Sequence, residues 1–439
     1  MKPKSLAAVL LIMSLSAGCA ARGTAGRPGA AGDSATGAHA DTATTEGRAT
    51  VLDAMATILA AEYVGEGSPA QDPAAHLVAR RDELLALTDM GAFYAALNET
   101  LADTGIGHLY VFRAGRDLFD RDKLEDRMVG ATLRQIDDYF FVDDVWEGGP
   151  AALAGLRHGD QLLPVGESSP MLDPLPPGKD RLRLWVRRTR ESPPFFLDIT
   201  PVAGDTAWYL AEATRASLSR VTMGACRIGR VHLRTFADET LVDELITGAD
   251  FDDSDGLIID LRGNGGGEIR LAGEILDLLT REPSVWIRYE QRSYPFPATS
   301  WNLPLVVLVD GRTRSAAEIF AAAVQARGLG TIIGTTTAGQ VLGSRLFPLP
   351  DGSRFLVPVS QVLLADGESL EGRGVIPDVS SERPLMFADG DDPPMAHAME
   401  VLAQQLACPE ELPAESFPQE TLPQEIRTDD AGDSIEPVP

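Results

Sequence analysis

The chain has 439 residues, 44% of them hydrophobic and 23% charged, enough for two or three domains with substantial cores. Its 38 basic and 65 acidic residues leave a net charge of −27. Such a surface repels phosphate backbones and offers nothing to anionic lipid, so no nucleic-acid partner is expected.

Lys2 and Lys4 form a basic start, and residues 6–15 an apolar core too short to span a bilayer comfortably. Leu-Ser-Ala-Gly-Cys comes next and ends at Cys19. This resembles the lipobox of bacterial lipoproteins, in which the cysteine becomes the lipidated N-terminus. Leu15 lies four residues before Cys19, however, and Ser16 takes the usual aliphatic place. A plain secretory signal with an incidental cysteine is the alternative. By resemblance, residues 1–19 are a lipoprotein signal, and Ala20 favours the periplasmic side of the outer membrane; without lipidation the protein is periplasmic. Residues 20–48 are rich in Gly, Ala, Thr and Ser and read as a flexible linker.

Residues 49–114 read as a helical N-terminal region, with Val51, Met55, Leu59 and Tyr63 at helical spacing, and Phe93, Leu97 and Leu101 likewise. A turn over 104–108 ends in His108 before a short strand over 109–112. Taken alone, a histidine in such a turn is ordinarily a surface or packing residue.

Residues 126–202 form a second unit of short strands around Gly-Pro-Ala-Ala-x-Ala-Gly-Leu-x-x-Gly-Asp, with a short helix expected over 150–156. This pattern resembles a PDZ domain, a mostly-β module that binds peptide C-termini by strand addition. The resemblance implies that the loop Gly130, Ala131, Thr132 and Leu133 supplies N–H groups to a terminal carboxylate, although Ala131-Thr132 replaces the usual apolar pair. A PDZ unit serving only as a rigid spacer is the plainer reading.

Residues 203–385 read as α/β. Buried strands are expected over 230–236, 257–261 and 304–309, with helices after the second and third. Arg262-Gly-Asn-Gly-Gly-Gly267 joins one strand to its helix. It fails as a dinucleotide fingerprint because Glu268 stands where the third glycine belongs. Ser315 opens the helix after the third strand. Ser-Ala-Ala-Glu is a capping box, Ser315 with Glu318. The same place suits a nucleophile, since helix-end N–H groups stabilise an oxyanion. Strands over 345–349 and 354–359 flank the turn Pro350-Asp-Gly352. A last helix is expected over 393–408 within the segment 386–408. Residues 409–439, with nine carboxylates and one arginine, form an acidic, Pro-rich tail. Cys226 and Cys408 are two distant cysteines that predict no bond by themselves. The six histidines are scattered, so no metal site and no cofactor is expected.

Three separated motifs, Asp260-Leu-Arg-x-Asn-x-Gly-Gly267, Ser315-Ala-Ala-Glu318 and Gly374-Val-x-Pro-Asp378, together with the PDZ-like unit, resemble the C-terminal processing peptidases and their tricorn-core relatives. The resemblance spans about residues 50–385. It implies an α/β, crotonase-like serine peptidase core over 203–385, acting on polypeptides. One branch of the family activates its serine with a lysine in Gly-x-x-Thr-x-Gly-Lys. Here Gly334-Thr-Thr-Thr-Ala-Gly-Gln340 puts a glutamine there, and glutamine accepts no proton. The tricorn-like branch uses histidine and a carboxylate, and His108 and Glu371 occupy the matching positions. Glu368 competes with Glu371.

The resemblance therefore implies Ser315 as nucleophile, His108 as base, Glu371 as its orienting carboxylate, and the backbone N–H groups of Gly266 and Ala316 as oxyanion hole. Asp260 and Arg262 are expected to hold the glycine turn and His232 to be structural. Two alternatives remain open to the sequence: an inactive relative binding peptides or apolar ligands, and a PDZ-centred adaptor. Substrate and oligomeric state are not legible.

Overall fold

The computed structural model describes residues 40–65, 72–113, 127–164, 181–203, 206–247, 253–278, 287–289, 292–294, 303–364 and 367–408. Cys19, the expected signal segment, most of the expected linker and the expected acidic tail lie outside them.

The chain is a mixed α/β protein. Its central sheet has six strands, in the spatial order Val379–Ser380, Thr331–Gly334, Leu305–Val309, Gly256–Asp260, Cys226–His232 and Ser219–Met223. The edge strand Ser219–Met223 is antiparallel to its neighbour; the other pairings are parallel. Leu305–Val309 and Gly256–Asp260 are buried at every position. That is why they read as unbroken apolar runs, since a parallel strand is covered on both faces. Helices Ile269–Leu278 and Ala316–Ala326 cover one face of this sheet, with Phe236, Ile259, Val307 and Phe320 in the shared core. Helix Pro393–Leu406 covers the other through Met395, Met399 and Leu402. A disulfide joins Cys226 to Cys408 across 182 positions, a pairing the sequence does not predict.

Some expected boundaries move. Helix Thr45–Glu62, capped by Thr44, begins inside the linker expected to run to residue 48. Arg48 is only 2% exposed and donates to the carbonyls of Thr42, Ala43 and Leu85. The helical region also does not close its own core. Strands Gly343–Pro348 and Arg354–Ser360 form a hairpin that pairs with Tyr110–Phe112, and Leu349, Phe355 and Val357 pack among Met55, Phe93 and Leu97. The hairpin thereby carries the end of the His108 turn on an element of the central region.

The second unit is a five-stranded antiparallel sheet: Ala131–Ile136, Tyr139–Val145, Gln161–Leu163, Leu182–Arg187 and Phe195–Ile199. The helix expected over 150–156 is a single turn, Pro150–Leu153, and the strand expected over 230–236 is Cys226–His232.

Buried charge ties this unit to the central sheet. Asp144 accepts from Arg234, which also donates to Glu147 at 2.6 Å; Arg312 donates to Asp143 at 2.9 Å. His232, expected to be structural, bonds Glu147 through Nδ1 and the Arg262 carbonyl through Nε2, each at 2.9 Å.

Candidate active site

The turn 310–314 fixes the position of Ser315. Asp310 accepts from the backbone N–H groups of Gly263, Arg312 and Thr313, each at 3.0 Å, so the glycine turn and the serine turn are held on one carboxylate. Ser315 then sits at the N-cap of helix Ala316–Ala326 with φ 57° and ψ −126°. A side chain with positive φ and a single-residue reversal is costly outside glycine, and such strain gathers at functional sites. The capping box expected from Ser-Ala-Ala-Glu is present. The carboxylate half is made, because Glu318 accepts from the Ser315 N–H at 3.2 Å.

Glu318 does more than cap. It is fully buried, and burial pushes its carboxyl above the usual range against the pull of its donors. Those donors are the Thr337 hydroxyl, the Gly339 N–H at 2.7 Å, the Gln340 N–H at 2.8 Å and the Ser315 N–H. The Ser315 N–H also donates to the Gln340 carbonyl at 2.9 Å. Thr337 in turn accepts from the Val375 N–H at 2.7 Å. One carboxylate thus joins the serine turn, the 337–340 loop and the Gly374-Val375 motif.

Gly266 lies directly against Ser315. A Cβ on Gly266, whose φ is 96°, would fall 2.6 Å from the Ser315 Cβ and 3.1 Å from the Ala316 nitrogen. The two amides named as oxyanion donors are therefore neighbours of the serine. Here, however, the Gly266 N–H donates to Asn264 Oδ1 at 2.8 Å. Asn264, fully buried, also donates to the Leu233 carbonyl at 2.7 Å, and its own carbonyl accepts from the Arg314 N–H at 3.1 Å. Ala316 supplies the first amide of the helix, which has no intrahelical acceptor.

His108 stands just ahead of strand Tyr110–Phe112. Its turn has φ 62°, and a Cβ on Gly107 would meet the Gln340 side chain at 2.9 Å, so the turn is pressed against the loop whose carbonyl holds Ser315. Burial, reinforced by the Arg314 guanidinium, pulls the His108 ring down to about 4. Its Nδ1 is buried without a hydrogen-bond partner among the described residues. The expected contact to Glu371 is not made in this arrangement. Glu371 lies beside the same loop, where it accepts from the Val341 N–H at 2.7 Å, and burial raises its carboxyl. Glu368, the competitor, is exposed and reaches Arg373 at 3.3 Å.

Asp260 and Arg262 brace the glycine turn as expected, Arg262 bonding Asp260 at 2.6 Å and also Asp392 at 2.6 Å ahead of the last helix. In the second unit, the segment expected to be a carboxylate-binding loop is mostly strand. Only Gly130, with φ 74°, precedes it, while Ala131, Thr132 and Leu133 pair with Val145, Asp144 and Val142 across a bulge. The Thr132 hydroxyl is buried without a partner among the described residues.

Sequence reasoning misses three contributors. The capping-box pattern marks Glu318 only as a cap, although a carboxylate on a buried helix face signals more. Asn264 stands inside a motif already singled out. Arg314 carries no pattern at all.

Residues 227–381 match the model of peptidase family S41. The carboxy-terminal processing protease CtpB of Bacillus subtilis is 24% identical over 279 residues, 60% of this chain and 56% of that protein. The chain thus spans about half the length of this curated relative. Among solved structures, the photosystem II D1 C-terminal processing protease aligns over 76% of this chain and 94% of its own, at 20% identity and a TM-score of 0.50. Mature CPAF complexed with lactacystin aligns over 81% of this chain and 96% of its own, at 15% identity and 0.52. The two structures share the fold.

Proposed function

We propose that this chain, residues 227–381 of which match the model of peptidase family S41, is a serine endopeptidase that hydrolyses peptide bonds of exported polypeptides. The observation that carries this reading is the strained Ser315 turn, set between Gly266 and a helix N-terminus, with the His108 turn packed against the same loop.

Ser315 Oγ attacks the scissile carbonyl carbon, and its proton passes to His108. With its ring pulled down to about 4, His108 is neutral at pH 7 and available as base. The carbonyl π electrons move onto oxygen, and the Ala316 N–H stabilises that charge. The Gly266 N–H joins once it exchanges Asn264 Oδ1 for the oxyanion. Each such donor is worth about a hundred- to a thousand-fold in rate. His108 returns the proton to the leaving amine, and water attacks the acyl-serine by the same steps reversed. Glu371 acts on His108 after a side-chain turn away from Val341, accepting from the Nδ1 that is otherwise unpartnered.

The five-stranded unit is read as a PDZ domain that receives a substrate tail beside Gly130 and Thr132 or gates the core. The core is read as crotonase-like. The Cys226–Cys408 bond fits an exported protein, since disulfides persist in oxidising compartments. Anchoring to the outer membrane through Cys19 belongs to the same proposal.

The test is turnover of casein by wild type, Ser315→Ala, His108→Ala and Glu371→Ala. The first two changes should lower the rate by about a thousand-fold or more, and the third by less. Full activity in Ser315→Ala would overturn the reading.

A further inference from the structure

Three arginines of the central region, Arg234, Arg262 and Arg312, each bond carboxylates at 3.0 Å or less. Arg314 differs. It is half-buried, one residue before Ser315, and among the described residues it bonds no carboxylate. Among the described residues its side-chain hydrogen bond is to the amide oxygen Gln340 Oε1 at 3.5 Å, a marginal distance. Burial pulls the guanidinium below its usual range, and the charge of Glu318 offsets this only in part, with its oxygens already committed to four donors.

A guanidinium carries five donors in a planar fork and does not give up its proton, so partial burial without an anion is a standing cost. The backbone explains why the side chain is held there. The Arg314 N–H is tied to the Asn264 carbonyl, and the Arg314 carbonyl lies 3.0 Å from where a Gly266 Cβ would stand. The residue is thereby locked between the glycine turn and the serine, and its charge is felt by His108 across the site.

We propose that Arg314 is a specificity-determining residue that anchors a carboxylate of the substrate next to the scissile bond. This rests on the peptidase reading and deepens it. The carboxylate is either the C-terminus of a short tail or an Asp or Glu side chain close to the cleavage point; both present the same bidentate partner. Filling the fork also removes a positive charge from the surroundings of His108, so the base strengthens when an acidic substrate is seated.

The experiment measures binding to the full-length Ser315→Ala protein by calorimetry, which needs no turnover. Three acetylated Ala/Phe hexapeptides serve as probes: one with a free C-terminus, one amidated, and one amidated with an internal Glu. At least one acidic peptide should bind about ten- to a hundred-fold tighter than the neutral amide, the range of charge-assisted hydrogen bonds. Which acidic peptide wins identifies the source of the carboxylate. Arg314→Gln in the same background should erase the preference, and Arg314→Lys, which keeps the charge without the fork, should retain part of it.

Equal or absent binding of all three peptides overturns the proposal. So does a preference that survives Arg314→Gln, which would put carboxylate recognition elsewhere. Fluorophosphonate labelling of the wild type, run in parallel, separates the two levels. Labelling without discrimination removes the Arg314 anchor and leaves the peptidase; discrimination without labelling does the reverse.

Discussion

Glu318→Gln keeps the volume and shape of a side chain that is 0% exposed and replaces one carboxylate oxygen by an NH2 group. The four donors divide evenly, the Thr337 hydroxyl and Gly339 N–H on Oε1, the Gln340 and Ser315 N–H groups on Oε2. If the NH2 takes the Oε1 side, the Thr337 hydroxyl can rotate to accept from it, and the Gly339 N–H is left facing a donor. If it takes the other side, the Gln340 N–H is stranded, while the Ser315 N–H keeps its bond to the Gln340 carbonyl. Either choice removes two hydrogen bonds to a charged group and leaves at least one buried donor unsatisfied, at least about 2–4 kcal/mol. The 337–340 loop also loosens against the serine turn, and a misplacement of about 1 Å costs on the order of a hundred-fold in rate. Urea denaturation gives the first number and the rate of fluorophosphonate labelling the second. Stability within about 0.5 kcal/mol of wild type, together with an unchanged labelling rate, would refute Glu318 as the hub of the site.

The acid limb of the pH–rate profile should fall below the unperturbed histidine value of about 6.5, toward the value of about 4 expected for His108. Activity is lost as pH drops through that value, because the protonated ring cannot take the serine proton. Arg314→Gln should move the limb upward, since it removes a charge that disfavours protonation; an unmoved limb contradicts this. Asp144→Asn breaks a buried ion pair with Arg234 and should cost about 3–5 kcal/mol in urea denaturation, whereas a surface pair would cost less than about 1. Reducing Cys226–Cys408, which closes a span of 182 positions, should lower stability by about 2–5 kcal/mol in the same assay with and without reductant. An unchanged midpoint would mean that the helix Pro393–Leu406 is held by its apolar face alone.

The strand-to-helix turn at Ser315 is legible because each side of it obeys a local rule, an unbroken apolar run and then helical spacing. The strain at Ser315 is not, since its N–H is held by the Gln340 carbonyl from a separate loop. His108 and Glu371 emerge by resemblance, and the structure brings both to the 339–342 loop, but the path is nonlocal. The strand after His108 pairs with Arg354–Ser360, more than two hundred positions away, and no periodicity announces such a pairing. The same holds for the ionic contacts between the two units, where Asp144 meets Arg234 ninety positions on. Gly266 is legible as a close approach. That its amide is held by Asn264 is not, because a side chain two residues away makes that choice by rotamer.

The central claim is that Ser315 is a nucleophile activated by His108. The most direct measurement is mass-spectrometric mapping of the adduct formed with a fluorophosphonate probe in wild type, Ser315→Ala and His108→Ala. A single phosphonylated peptide containing Ser315, absent in Ser315→Ala and reduced by about a hundred-fold or more in rate in His108→Ala, is the predicted result. Modification of another residue, or labelling of Ser315 at an undiminished rate without His108, would contradict it.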